Sequence, residues 1–425
     1  MKDFIGSDEI INKKKQYLFP CSHHFYKNPP QLVRGEMQYL YDNTGKKYID
    51  FFAGVSVVNC GHCNPVIVDA TINQLKQLQH TTTIYLTQPM VELAEKMSTI
   101  LPGNLNHSFF CCSGSEANEG ALLLARLYTG KKEFIALEGG LHGRTHLTMS
   151  GTGIDMWRVD PYISDSFHFI PNVHSHEHTL EKAAKLSIKA LKKLLKQKAK
   201  DIAAFIVEPI QGNGGIITPP DWYFEEVKKL LTKHNVLMIV DEVQTGFART
   251  GKMFAIEHYN VVPDIMTVAK ALGNGIPIAA FCTNDTIAAS FNKPSASTLG
   301  GNPVACETAL AVINYIEKNN LSLRANELGK SLKAGLNNLK EKYPIIHDIR
   351  GIGLMMGAEL LTKDNSPASE ETDIILELLK DNGIILGKNG INRNVLAFQP
   401  PLVITQGDID NVIDCLDNVL SKIDY

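Results

Sequence analysis

Three short segments of the chain carry residue types suited to covalent or ionic chemistry. In PDIMTVAKALGNGIP, Lys270 follows an apolar run and precedes a glycine-rich loop. Desolvating an ammonium is costly. A lysine there either snorkels its charge to solvent or is wanted as a neutral amine, the form that condenses with an aldehyde to give an imine. In VLMIVDEVQ, Asp241 ends an apolar strand, the edge at which open α/β sheets hold their ligands. Its carboxylate suits a cationic ring nitrogen or, with Glu242 beside it, a metal ion; capping the next turn is the plainer alternative. HSFFCC followed by Ser113-Gly114-Ser115 and a helical period reads as a strand–turn–helix. Its backbone N–H groups and positive helix end favour a phosphate, although many such turns hold small residues only in order to turn.

Other candidates have plainer readings. Cys60-Gly-His-Cys63 has CxxC spacing, but no second pair follows at zinc-site distance, and buried thiols explain it. His168, His174, His176 and His178 cluster in HFIPNVHSHEHT; a metal site is conceivable, but no flanking strand or cysteine supports one, so the run reads as a solvated loop and no metal is expected. Gly351-Ile352-Gly353 precedes no helix and is not a dinucleotide fingerprint. The lysine-rich segment Glu181–Lys200 keeps Ala, Leu and Ile at helical spacing, as an amphipathic surface helix does.

The elements that must position these residues follow from pattern. From His107 to about Ala280, β-rich runs (HSFFCC, KEFIAL, IAAFIVE, VLMIVDEV, DIMTVA, IAAFC) alternate with helical periods such as EANEGALLLARLY and DWYFEEVKKLLTKH. That alternation predicts an α/β fold with a mainly parallel central sheet. At 425 residues the chain exceeds one compact core. The expected division is an N-terminal arm with part of a small domain (1–60), a large domain (61–305) and a C-terminal α+β small domain (306–425). Composition is that of a soluble globular protein, 44% hydrophobic and 20% charged. Lys and Arg number 42 against 45 Asp and Glu, a net charge of −3, which argues against nucleic acid or an anionic membrane as partner. No apolar run reaches the roughly 18 residues of a membrane span. The N-terminus lacks an apolar signal core and the eight cysteines are scattered, so a reducing cytoplasm is expected.

SGSEANEGALLLAR, EPIQGNGG, VDEVQTGFARTGKMFA, PDIMTVAKALGNGIP and STLGGNP resemble, in order, the signatures of the class III (ornithine/4-aminobutyrate type) aminotransferases. The likeness extends from LVRGEMQYLYDNTGKKYIDFFAG to QPPLVIT. The 29 residues between Asp241 and Lys270 fit the family as well. The resemblance implies fold type I of the pyridoxal 5'-phosphate enzymes and a homodimer, or a tetramer of such dimers, with active sites at the subunit interface. Lys270 would hold the cofactor aldehyde as an imine and shuttle a proton, and Asp241 would pair with the pyridinium nitrogen. Ser113, Gly114 and Ser115 would cradle the phosphate, and Thr298 would reach the phosphate of the other subunit. Val243 would pack on one ring face, with Leu141 and His142 nearby; Gln244 would lie near the phenolic oxygen and Glu208 beside the cofactor.

Two departures from the family bear on the reaction. Leu141, in GGLHGRT, stands where an aromatic residue usually stacks on the ring, so π-stacking is lost. Ala397, in NRNVLAFQPPLVIT, stands where relatives that handle α-amino acids carry the arginine for the α-carboxylate, a role alanine cannot fill. Arg393, four residues upstream, is a candidate replacement. Arg144 matches the arginine that binds the far carboxylate of ω-amino acids, which leaves Glu208 to receive a polar or cationic group. Asp155-Met156-Trp157-Arg158 is placed at the site entrance. The expected reaction moves an amino group from an amine or ω-amino acid to a 2-oxo acid such as pyruvate or 2-oxoglutarate. The alternatives are an ammonia- or phospho-lyase or an amino-acid epimerase on the same scaffold, or a non-catalytic protein that keeps it.

Overall fold

The computed structural model describes residues 4–423. After an N-terminal helix (Ser7–Tyr17), strands β1 (Leu32–Glu36), β2 (Tyr39–Asp42) and β3 (Lys47–Asp50) form an antiparallel meander.

A seven-stranded sheet follows, built from β4 (His107–Cys111), β5 (Glu133–Leu137), β6 (Phe167–Ile170), β7 (Ile202–Val207), β8 (Leu237–Asp241), β9 (Ile265–Val268) and β10 (Ala279–Thr283). Its order is β4-β10-β9-β8-β7-β5-β6. Only β10 runs against its neighbours. Both faces of this sheet are covered, which is why IAAFIV and LMIVD are almost uninterruptedly apolar. Alternate residues part to opposite layers. Phe134, Ala136, Ile206 and Ile239 pack with Ala121, Leu122 and Ala125 of the helix Gly114–Thr129. Ile135, Leu137, Phe205 and Val240 pack with Leu191, Leu195, Val227 and Leu231 of the helices Leu180–Lys198 and Tyr223–Lys233. The lysine-rich helix is therefore a covering layer, with Ala183, Ala184, Ile188, Leu191 and Leu195 buried and its lysines on the outer side.

Beyond the sheet, the helices Pro303–Lys318 and Leu321–Lys342 lead into β11 (Ile346–Ile352) and β12 (Met355–Leu360). The two-residue β13 (Ile384–Ile385) pairs parallel with β3, so the N-terminal meander and the C-terminal segment share one sheet. β14 (Gly387–Asn389) and β15 (Val395–Phe398) complete a second, antiparallel sheet in the order β11-β12-β15-β14. The helix Gln406–Leu420 closes the chain against Leu321–Lys342. Among the described residues no helix is long and apolar enough to cross a membrane. All eight cysteines are free thiols.

Candidate active site

Because β10 opposes both its neighbours, β4 runs the same way as β9, and β4, β5, β7, β8 and β9 all end at one edge of the sheet. The segments leaving that edge carry Ser113, Leu141, Glu208, Asp241 and Lys270. A cavity of about 400 Å³ opens there, lined by Ser113, Gly114, Ser115, Leu141, His142, Arg144, Asp241, Val243 and Lys270 among others. Residues scattered over more than 150 positions are thus brought together by strand ends, as open α/β sheets do.

Lys270 follows β9 in a left-handed backbone conformation, φ 47°. That conformation is costly for a side-chain-bearing residue and persists only where surrounding packing imposes it. Gly273 makes the turn possible, since a Cβ there would fall 1.9 Å from the Ile276 carbonyl oxygen. Burial pushes the Lys270 ammonium below its usual range, opposed by the negative charges of Asp241 and Glu208. The amine is thereby biased toward the neutral, nucleophilic form.

Asp241 is held on every side. Its Oδ2 accepts a hydrogen bond from Asn118 Nδ2 at 2.7 Å and lies 2.9 Å from His142 Nδ1. Its Oδ1 accepts from the Val243 N–H at 3.1 Å. Asn118 in turn donates to the His142 carbonyl at 2.7 Å and accepts from Thr267 Oγ1 at 2.6 Å. Sequence reasoning passed over Asn118; the available signal was one amide on an otherwise apolar helix face.

Ser113 is the N-cap of the helix Gly114–Thr129, its hydroxyl accepting from the Glu116 N–H at 3.3 Å. The first N–H groups of that helix have no intrahelical backbone partner, and Gly114 and Ser115, which carry two of them, line the cavity. Gly114 must lack a Cβ because one would fall 2.8 Å from Val243 Cγ1. Ser115 Oγ accepts from the Arg144 N–H at 3.0 Å, which ties the phosphate-type turn to the HGRT segment. The Arg144 side chain is exposed at the cavity wall, with no hydrogen bond or ion pair from its guanidinium to another described residue. Of the Asp155–Arg158 segment, only Trp157 lines the cavity, together with Val57, Cys112 and Ile276–Ile278.

Four residues named from the sequence do not line it. Glu208 is buried beside the cavity: its two oxygens accept the backbone N–H groups of Leu141 at 2.9 Å and Gly212 at 3.0 Å. Burial pushes its carboxyl up to about 7. Its observed work is to clamp two loops. Gln244 lies behind the wall, accepting from Gln399 Nε2 at 3.2 Å. Thr298 is exposed on a loop and does not line the cavity of its own chain. Arg393 does not line the cavity: its guanidinium sits 5.0 Å over the Phe25 ring, on a residue with a left-handed φ of 59°. Ala397 is fully buried on β15 between Gly357 and Gly387.

The histidine-rich run also departs from expectation. It is flanked by a strand, β6, on which His168 lies 2.7 Å from Glu133. His174, half-buried, and His176, exposed, both approach Glu359 on β12.

The family described as aminotransferase class III matches residues 23–420. The chain belongs to the class III aminotransferases. It is 42% identical to the mitochondrial alanine–glyoxylate aminotransferase 2 homolog 2 of Arabidopsis thaliana, over 98% of this chain and 88% of the relative. It is 40% identical to the acetylornithine aminotransferase of Methanocaldococcus jannaschii, over 93% of this chain and 94% of that one. The solved structure of a phospholyase from Arthrobacter, in complex with phosphoethanolamine, superposes with a TM-score of 0.90. The two are 29% identical over 98% of this chain and 100% of that one.

The protein is therefore a pyridoxal-phosphate-dependent transaminase of fold type I. The cavity fits that cofactor in kind. A helix N-terminus suits the phosphate, a buried carboxylate suits a protonated ring nitrogen, and a lysine biased toward neutrality suits the aldehyde. Val243 and the Leu141–His142 segment supply apolar and flat surfaces between them.

Proposed function

We propose that this transaminase takes its amino group from an amine or ω-amino acid carrying a distal anion and delivers it to a 2-oxo acid such as pyruvate or 2-oxoglutarate. The observation that carries this reading is Arg144, a guanidinium at the cavity wall without a partner among the described residues. A forked cation held open in this way suits a carboxylate, sulfonate or phosphonate. The position expected to grip an α-carboxylate holds Ala397.

The bound cofactor supplies an aldehyde that condenses with amines and a protonated ring that accepts an electron pair. Gly114 and Ser115 would anchor the phosphate through backbone N–H groups. Asp241, positioned by Asn118 and His142, would keep the ring nitrogen protonated. Lys270 Nζ, biased toward neutrality by burial, would carry the proton to and from the donor's amine-bearing carbon. Val243 and Leu141 would help to exclude water from the ring.

A second copy of the chain completes the site in this reading. Thr298 stands exposed beside Leu299, and Ile84, Tyr85 and Leu86 are 83%, 65% and 101% exposed, apolar surface that a subunit partner would cover. The proposed assembly is a homodimer in the cytoplasm.

A lyase is the second reading, favoured by one observation: a structural neighbour at TM-score 0.90 is a phospholyase crystallised with phosphoethanolamine. Holoenzyme mixed with ω-amino acids or with phosphoethanolamine, and no oxo acid, separates the two. A transaminase converts one equivalent of cofactor to the amine form and stops, whereas a lyase releases ammonia over many turnovers.

A further inference from the structure

We propose that His174, His176 and Glu359 form a binding site for one divalent transition-metal ion, zinc or a close analogue, outside the catalytic cavity. His174 and His176 follow β6 and stand two residues apart. Glu359 projects from β12 of the C-terminal antiparallel sheet. His176 Nε2 is 3.0 Å from Glu359 Oε1, and His174 Nε2 is 3.2 Å from Glu359 Oε2. One ligand atom from each residue lies within 4.8 Å of the others. Around a tetrahedral zinc ion with bonds of about 2.0–2.1 Å, neighbouring ligand atoms stand about 3.3 Å apart, close to the two His–Glu separations; small side-chain rotations would bring the third pair in from its limit of 4.8 Å.

Three further observations point to a ligand. The buried Nε2 of His174, although 3.2 Å from Oε2, has no hydrogen bond of acceptable geometry. His174 and His176 border a mostly polar cavity of about 450 Å³ that is also lined by His178, His347, Asp348 and Lys333. It leaves room for water and a fourth donor; the His347 ring is 5.8 Å from that of His176.

Arg350 works against a cation, with Nη1 2.7 Å from Glu359 Oε2 and 3.0 Å from Asp348 Oδ2. Two carboxylates share that one guanidinium, and Lys333 borders the same cavity, so the site favours a metal that binds neutral imidazoles. The Arg350 contact also orients Glu359, as outer-shell partners do. Two imidazoles and a carboxylate match zinc, nickel or copper and suit calcium and magnesium poorly. The ion would join the segment after β6, which belongs to the seven-stranded sheet, to the C-terminal sheet, and so fasten the two layers without entering the reaction.

The test uses chelator-treated holoenzyme titrated with zinc chloride by calorimetry, with metal content measured after dialysis. The expected result is one ion per chain at micromolar affinity or tighter and a higher melting temperature. The double variant His174→Ala/His176→Ala should bind at least about a hundredfold more weakly and keep its cofactor content and transamination rate. His178→Ala, bordering the same cavity, should bind zinc as the parent does. If the double variant fails to fold, the visible spectrum of the cobalt-loaded parent decides, an intense tetrahedral band supporting the site. No stoichiometric binding by the parent, undiminished binding by the double variant, or a hexaaquo-like cobalt spectrum overturns the proposal.

Discussion

His142 Nδ1 lies 2.9 Å from Oδ2 of Asp241, and both side chains are almost fully buried. The same oxygen accepts from Asn118, so the carboxylate is fixed from the helix that begins at the phosphate turn and from the loop after β5. One network sets the acid's direction relative to both ends of the cofactor. Asp241→Asn keeps the shape but removes the charge that would hold the ring nitrogen protonated. It should lower kcat by about a hundredfold to a thousandfold. His142→Leu, which removes only a positioning contact, should cost about tenfold. Steady-state kinetics on both variants test the order; equal losses would put the work in the network and not in the charge.

Lys270 lies at the end of β9 with its amine biased toward neutrality. Lys270→Ala should bind cofactor without a covalent link and lose at least about a thousandfold in rate. Borohydride reduction followed by peptide mass spectrometry reads the link directly. The parent should gain the cofactor mass on the Lys270 peptide and the variant on none. A labelled peptide elsewhere in the variant would move the assignment to another lysine.

The Arg144 guanidinium has nothing to hold among the described residues, so its removal should cost binding and not structure. Arg144→Ala should lower kcat/KM for ω-amino acids by about ten- to a hundredfold, the value of a charge-assisted contact. Donors without a distal anion should be turned over at the parent's rate. Uniform loss across charged and neutral donors would assign Arg144 to the scaffold.

What could be read from the sequence was whatever rests on local chemistry. The apolar runs that end in Asp241 and precede Lys270 are strands because both faces of the sheet are covered, and a buried strand is written in consecutive residues. The turn at Ser113 is equally local. What escaped depends on where distant segments meet. Nothing near Glu208 says that its oxygens will meet the N–H groups of Leu141 and Gly212. Nothing near Arg393 reveals that one left-handed residue turns it onto Phe25. The histidine run looked solvated because its anchor, Glu359, stands some 180 positions later.

Glu208 supplies a prediction about pH. Its folded carboxyl stands at about 7, raised from 4.5 chiefly by burial, with Asp241 adding to the rise and His142 and the two backbone N–H groups opposing it. A carboxyl whose folded value is raised favours the protonated form. Its contribution to stability is then fully present below about pH 4.5 and lost as pH rises toward 7, the folded state binding the extra proton over that window. The loss is on the order of 3 kcal/mol. In cofactor-free protein, Glu208→Gln should remove this slope. The glutamine amide would meet one of the two N–H donors, so the variant should be less stable by about 1–3 kcal/mol at pH 5. The deficit should shrink or vanish by pH 8, because only the parent loses stability on the way. Urea unfolding at a series of pH values measures both curves. Parallel profiles would mean that Glu208 keeps an ordinary carboxyl in the folded protein, and that the loop clamp is ionic throughout.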